Sequence, residues 1–169
     1  QLNELKNKKI PVIGFDSGIP NAPAGMIQAT ASTNNENAGA LAADKMFAAI
    51  KDKVAAATPE KPVVIACQSQ DATSASIVGR TVGFVNQMAK NCESVQAGKV
   101  AVTGHEKYAK AAASGKAAVN IFVIVPPSSS ATDSQNASQT VFNMKGLIGY
   151  FASNSASVDG ILAATNDGK

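Results

Sequence analysis

Three polar clusters in this sequence follow apolar runs, and they hold most of the side chains with chemical potential. Asp16 and Ser17 follow Ile10-Pro11-Val12-Ile13-Gly14-Phe15. Gln68-Ser69-Gln70-Asp71 follow Pro62-Val63-Val64-Ile65-Ala66-Cys67. Ser153-Asn154-Ser155 follow Leu147-Ile148-Gly149-Tyr150-Phe151-Ala152. These are uncharged or acidic hydrogen-bonding groups, with no evident nucleophile and base among them. A carboxylate such as Asp16 can accept two charge-assisted bonds from adjacent hydroxyls. Asn154 offers both a donor and an acceptor. Arg80, just inside a helical pattern, supplies a planar fork of donors. The set suits reversible recognition of a polar solute better than bond cleavage.

The elements that must position these groups follow from the pattern. An apolar run bounded by turn residues reads as a buried parallel strand. In an open parallel sheet, ligands bind beyond the carboxyl ends of the strands. Asp16, the Gln68 to Asp71 segment and Asn154 are therefore expected on one edge of the molecule. Further strands are read at 26–30, 99–103 and 119–125, the last stopped by Pro126-Pro127.

Helical spacing marks 36–53, with Ala38, Leu41, Ala42, Met46, Ala49 and Ile50 recurring. A second helix follows Asp71–Ser74, with Ile77, Val78, Val82, Val85 and Met88 on one side. Helices are also read at 2–9, from Thr132 or Asp133 to Met144, and from Ser155 to near Gly168. Residues 105–118 read as a polar surface excursion. Strands alternating with helices indicate an α/β fold, a three-layer parallel sheet with helices on both faces and right-handed connections. Phe15, Phe84, Phe122, Phe142 and Phe151 sit in apolar runs and are expected in the core.

Composition narrows the function. The chain has 169 residues, of which 45 % are hydrophobic and only 16 % charged. That is enough for an ordinary domain with a sizeable core. No apolar run approaches the ~20 residues a membrane span needs. The net charge of +3 is modest, and no basic stripe carries interleaved aromatics, so nucleic-acid binding is not expected. Cys67 and Cys92 fall at opposite ends of a strand and a helix, too far apart to bridge, and read as small buried hydrophobes. His105 is the single histidine, in a surface loop beside Glu106, so neither a Cys/His metal set nor a Ser-His-Asp triad can be assembled. Gly14 and Gly18 lack the spacing of a phosphate loop. No catalytic residue, cofactor or metal is expected.

The ordered motifs resemble the type I periplasmic binding proteins, the ribose- and galactose-binding components of sugar ABC importers. Ile10 to Ser17 resembles that family's strand and ligand segment. Thr33-Asn34-Asn35 with Ala38-Gly39 and Ala43-Asp44 resembles its hinge and the first helix of its second lobe. Arg80-Thr81-Val82-Gly83-Phe84 matches an R-x-x-G-F helix, and Phe151-Ala152-Ser153-Asn154 followed by Gly160 matches a later strand and helix. The resemblance implies an internal fragment: residues 1–33 as the edge of the first lobe and hinge, and 34–169 as an incomplete second lobe.

It also implies a non-enzymatic receptor for a sugar or sugar-like solute. A membrane permease would be its partner, with no nucleic acid and no direct membrane span. The location would be periplasmic or extracellular, with a lipid anchor in the full-length protein as one option. The alternative is the effector domain of a lactose-repressor-type regulator, which shares the fold; an α/β enzyme of unrelated chemistry is the third reading.

By this resemblance Asp16, Arg80 and Asn154 bind ligand, with Ser17, Gln68, Asp71 and Asn34 as further candidates. Each has a plainer role beside it. Asp16 could bond its own turn, Arg80 could be a structural or solvated helix residue, and Asn154 could cap the helix from Ser155. Asn34 or Asn35 could cap the helix that follows them. The family usually has Asp where Asn34 stands, which puts an ion pair across this hinge in doubt.

Overall fold

The computed structural model describes residues 1–17, 19 and 21–166. Helix α1 (Leu2–Asn7) leads into β1 (Val12–Phe15), which pairs in parallel with β2 (Ile27–Ala31) as a two-stranded sheet. Helix α2 (Asn35–Ala55) then leads to β3 (Val63–Gln68) and α3 (Ala75–Glu93). Next come β4 (Val100–Gly104), β5 (Val119–Ile124), α4 (Ala131–Phe142), β6 (Leu147–Ala152) and α5 (Ser155–Asn166). The second sheet runs β4-β5-β3-β6, all parallel, with Ile65 beside Ile121 and Ala66 beside Tyr150. Residues 10–15 thus lie outside this sheet, as their pattern and order imply.

Strand alternation decides which helices cover which face. Ile65 and Cys67 of β3 join Val119, Ile121 and Val123 of β5 in one cluster with Ala43, Ile50, Phe84 and Met88 of α2 and α3. Phe151 stacks on Phe84 at 4.2 Å between centroids. The opposite side chains, among them Gln68, face α4, and α4 packs on α5. The layers are therefore helices, parallel sheet and helices.

Half of the expected stripe on α2 holds, with Ile50 in the core and Ala42 and Met46 packed on it, whereas Ala38, Leu41 and Ala49 are exposed. Gly39, Ala43, Ile50 and Val54 are buried, while Leu41 is 59 % exposed. The reason is the crossing with α3. A Cβ on Gly39 would lie 2.1 Å from the Arg80 carbonyl oxygen, and one on Gly83 would lie 2.0 Å from that of Glu36. The two backbones touch where both helices carry glycine, and this contact sets the face.

Two of the five phenylalanines expected in the core also depart from expectation. Phe15 is 84 % exposed and Phe142 is 38 % exposed. Among the described residues no layer covers that face of β1, and Phe142 sits at the end of α4, edge-on to Tyr150. Residues 105–118 hold a 3-10 turn at Glu106–Tyr108 and fold back on β4 through a bridge between Val102 and Lys110. Cys67 and Cys92 are both free and buried. Burial pushes both thiols up to about 12, which suits inert core residues.

Candidate functional site

Because the four strands are parallel, their carboxyl ends share one edge, and the polar segments after β3 and β6 meet there. Gln70 donates its backbone N–H to the Ser153 hydroxyl at 3.3 Å, and Asn154 donates its amide N–H to the Gln70 side-chain oxygen. The Asn154 oxygen accepts from the Ser157 backbone N–H at 3.1 Å, capping α5. Asn154 therefore performs its plainer role while standing at the sheet edge.

Arg80, one turn into α3, reaches the same edge half-buried. Its Nε donates to the Asn35 Oδ1 at 2.9 Å, and its Nη1 donates to the Ser153 carbonyl at 3.1 Å. Neither acceptor is charged. Asp71 sits in the turn before α3, where its carboxylate accepts from the Thr73 and Ser74 backbone N–H groups and from the Thr73 hydroxyl. Burial pushes this carboxyl up, but those bonds and the nearby Lys107 outweigh it, so its pKa lies below the usual value. Lys107 in turn donates to the Ala72 carbonyl at 2.7 Å, tying the excursion after β4 to this turn. His105 accepts from the Lys107 backbone N–H at 3.2 Å and leans on the Tyr108 ring.

The end of β1 approaches from the other sheet. Asp16 is exposed, with φ of 63°, a left-handed conformation that Asp tolerates. Its backbone N–H donates to the Ala31 carbonyl at 3.0 Å. The next residue, Ser17, shares a hydrogen bond of 2.9 Å with the Ser76 hydroxyl in the first turn of α3. That bond brings the Asp16 segment to the helix that carries Arg80.

Two candidates are engaged elsewhere. Gln68 is fully buried and points away from the edge toward α4. It donates to the Ser134 carbonyl and hydroxyl at 3.1 and 2.9 Å and accepts from Ser138 and Tyr150. Asn34 caps α2, accepting from the Asn37 N–H at 3.1 Å. Three contributors to the edge were not singled out as ligand candidates: Asn35, Ser76 and Gln70. Gln70 lies in the flagged segment, two residues beyond Gln68 and so of the same strand parity, but past the strand end where direction is free. Nothing in the spacing separates Asn35 from the capping Asn34. Among the described residues, no cluster of three or more His, Cys, Asp or Glu could hold a metal.

No family model matches the sequence, and no curated protein does. Solved structures do. A Brachyspira murdochii protein described as an ABC transporter and LacI-family transcriptional regulator is 34 % identical. It has a TM-score of 0.78, with 99 % of this chain and 48 % of that one covered. A Mycobacterium smegmatis protein in complex with β-D-fucofuranose is 16 % identical, with a TM-score of 0.71 and coverage of 99 % and 46 %. An Agrobacterium vitis ABC transporter solute-binding protein with bound D-fucose is 23 % identical, with a TM-score of 0.65 and coverage of 96 % and 45 %.

The fold is that of the type I periplasmic binding proteins of ABC transporters. This chain spans about half the length of the structures it matches. At the described edge of this chain four segments gather: β1 to Ser17, the start of α2, the β3–α3 turn and the end of β6.

Proposed function

We propose that this chain forms one side of the solute site in the substrate-binding component of an ABC-type importer, and that the solute is a sugar or sugar-like polar molecule. The observation that carries the reading is the gathering of Arg80, Asn154 and the Asp16–Ser17 segment at one sheet edge, joined through Ser17 and Ser76. Asp16 accepts hydrogen bonds from solute hydroxyls, Arg80 donates, and Asn154 does both. Ser17, Asp71 and Asn34 border this edge, and Gln68 supports it from beneath through α4.

Residues 1–33 belong to a first lobe and its hinge and 34–169 to a second, so a solute held between them favours closure. The protein acts in the periplasm or outside the cell, delivers to a membrane permease, and catalyses nothing. No described helix is long and apolar enough to cross a membrane.

The second reading, an effector domain of a lactose-repressor-type regulator, is favoured by the description of the Brachyspira murdochii structure. Sequence upstream of this chain in its gene separates the two: an export signal supports the receptor, a helix-turn-helix the regulator.

The direct test is mass spectrometry of solute released from the full-length protein, followed by calorimetry with that solute. Asp16→Ala and Arg80→Ala should each weaken binding about 100-fold, as removing a charged partner from a buried polar ligand does. His105→Ala should change little. Wild-type affinity in both of the first two variants would refute the site.

A further inference from the structure

We infer that Asn35 is a positioning residue for Arg80, holding the guanidinium so that its remaining donors face the sheet edge. The inference rests on the reading of that edge as a solute site. A guanidinium on a long flexible side chain has many orientations, and a planar fork is useful only in one of them. Here Nε is held by the Asn35 Oδ1 at 2.9 Å and Nη1 by the Ser153 carbonyl at 3.1 Å. The anchors sit on separate elements, the first turn of α2 and the end of β6, so together they fix the plane of the group. Among the described residues, no acceptor takes its other N–H groups. No described carboxylate forms an ion pair with Arg80, so both anchors fix geometry without neutralising its charge.

The fold places Asn35 for this task. The glycine-lined crossing of α2 and α3 sets Glu36 against Gly83 and Gly39 against Arg80. The same contact brings the Asn35 Cβ to 3.1 Å from where a Cβ on Gly79 would stand. Capping of α2 is already done by Asn34. The Asn35 amide is therefore not needed to start the helix, and its loss should leave the helix intact.

The primary test is hydrogen exchange of the Arg80 Nε–H, read by nuclear magnetic resonance on the full chain. Asn35→Ala should speed that exchange about ten-fold, as expected for one lost hydrogen bond, and Asn35→Asp, which keeps an acceptor at the same place, should restore it. Backbone amides of α3 should exchange as in the wild type. Unchanged Nε–H exchange in Asn35→Ala overturns the inference. Equal acceleration along the α3 backbone overturns it too, because Asn35 would then be merely structural.

A second arm uses D-fucose, D-arabinose and D-glucose as calorimetric probes on the full-length protein, sugars seen in similar structures. For any probe that binds, Asn35→Ala should weaken binding about ten-fold, and the double variant with Arg80→Ala should be no weaker than Arg80→Ala alone. Additive losses count against positioning. Wild-type affinity in Arg80→Ala would instead refute the solute site, while the exchange measurement still decides whether Asn35 holds Arg80.

Discussion

The Gln68 side chain makes four hydrogen bonds in a place without solvent, to Ser134 twice and to Ser138 and Tyr150. Replacing it with leucine would remove the oxygen to which the Tyr150 and Ser138 hydroxyls donate and the amide that Ser134 accepts from, leaving Ser134 its bond to the Ala156 carbonyl and Ser138 its bond to the Ser134 carbonyl. Gln68→Leu should therefore destabilise the protein by about 3 kcal/mol in urea unfolding. A loss below about 0.5 kcal/mol, the scale of a surface substitution, would show that the network is dispensable.

Tyr150 carries a pH signature. Burial pushes its phenol well above the ordinary 10.0, the Ser138 bond opposes this and Cys67 adds to it. A raised folded-state value favours the neutral phenol. That stability is complete below the unfolded value and is lost as pH rises past it toward the folded one. Thermal stability should fall above about pH 10, and Tyr150→Phe should flatten that fall. Of this network only Gln68 was legible, in a strand-end cluster; Ser134 and Ser138 lay in a segment read as helix and Tyr150 in one read as strand. The destination of Gln68 was not legible, because whether it meets solute or α4 depends on what covers that face of the strand.

At the scale of elements, the contact between α2 and α3 rests on two glycines. Gly83→Ala would drive a Cβ into the Glu36 carbonyl oxygen, with backbone on both sides and nowhere to yield. It should cost about 3 kcal/mol in chemical denaturation, within the range of overpacked interiors. Gly79→Ala meets the Asn35 Cβ at 3.1 Å and Glu36 at an ordinary contact of 3.8 Å, and should cost much less. If the two variants prove equally stable, the helices do not touch at Gly83.

Strands and helices themselves were largely readable, since apolar runs of strand length alternate with helical spacing and Pro or Gly punctuates them. The face of α2 was not. Ala38, Leu41 and Ala49 fit a helical stripe as well as Gly39 and Ala43 do, and only the partner helix decides between them.

For the whole molecule, the two sheets differ in cover. The four-stranded sheet lies between helical layers, whereas β1 presents Ile13 at 70 % and Phe15 at 84 % exposure. An apolar pair so open should bind a hydrophobic dye in the isolated chain. Ile13→Lys with Phe15→Lys should reduce dye fluorescence several-fold and leave far-ultraviolet dichroism unchanged. Undiminished fluorescence would place the dye elsewhere. The motif order carried the two-sheet arrangement, since residues 10–15 precede the hinge-like Thr33-Asn34-Asn35. Exposure of Phe15 could not be read, because an apolar run looks the same whether or not its cover lies within the chain.

The bond between Ser17 and Ser76 joins the end of β1 to the first turn of α3 through two hydroxyls, neither of which carries charge at any physiological pH. Dissolved ions weaken attractions between exposed charges over distances of roughly 10 Å at 0.1 M salt, but they have little purchase on a neutral pair at contact. The mechanical coupling across this joint should therefore be indifferent to osmotic and acid stress in the surroundings. A spectroscopic ruler spanning the joint should read the same distance distribution in dilute buffer and in concentrated salt. Two lysine–aspartate partners in the same position would make the joint respond to both.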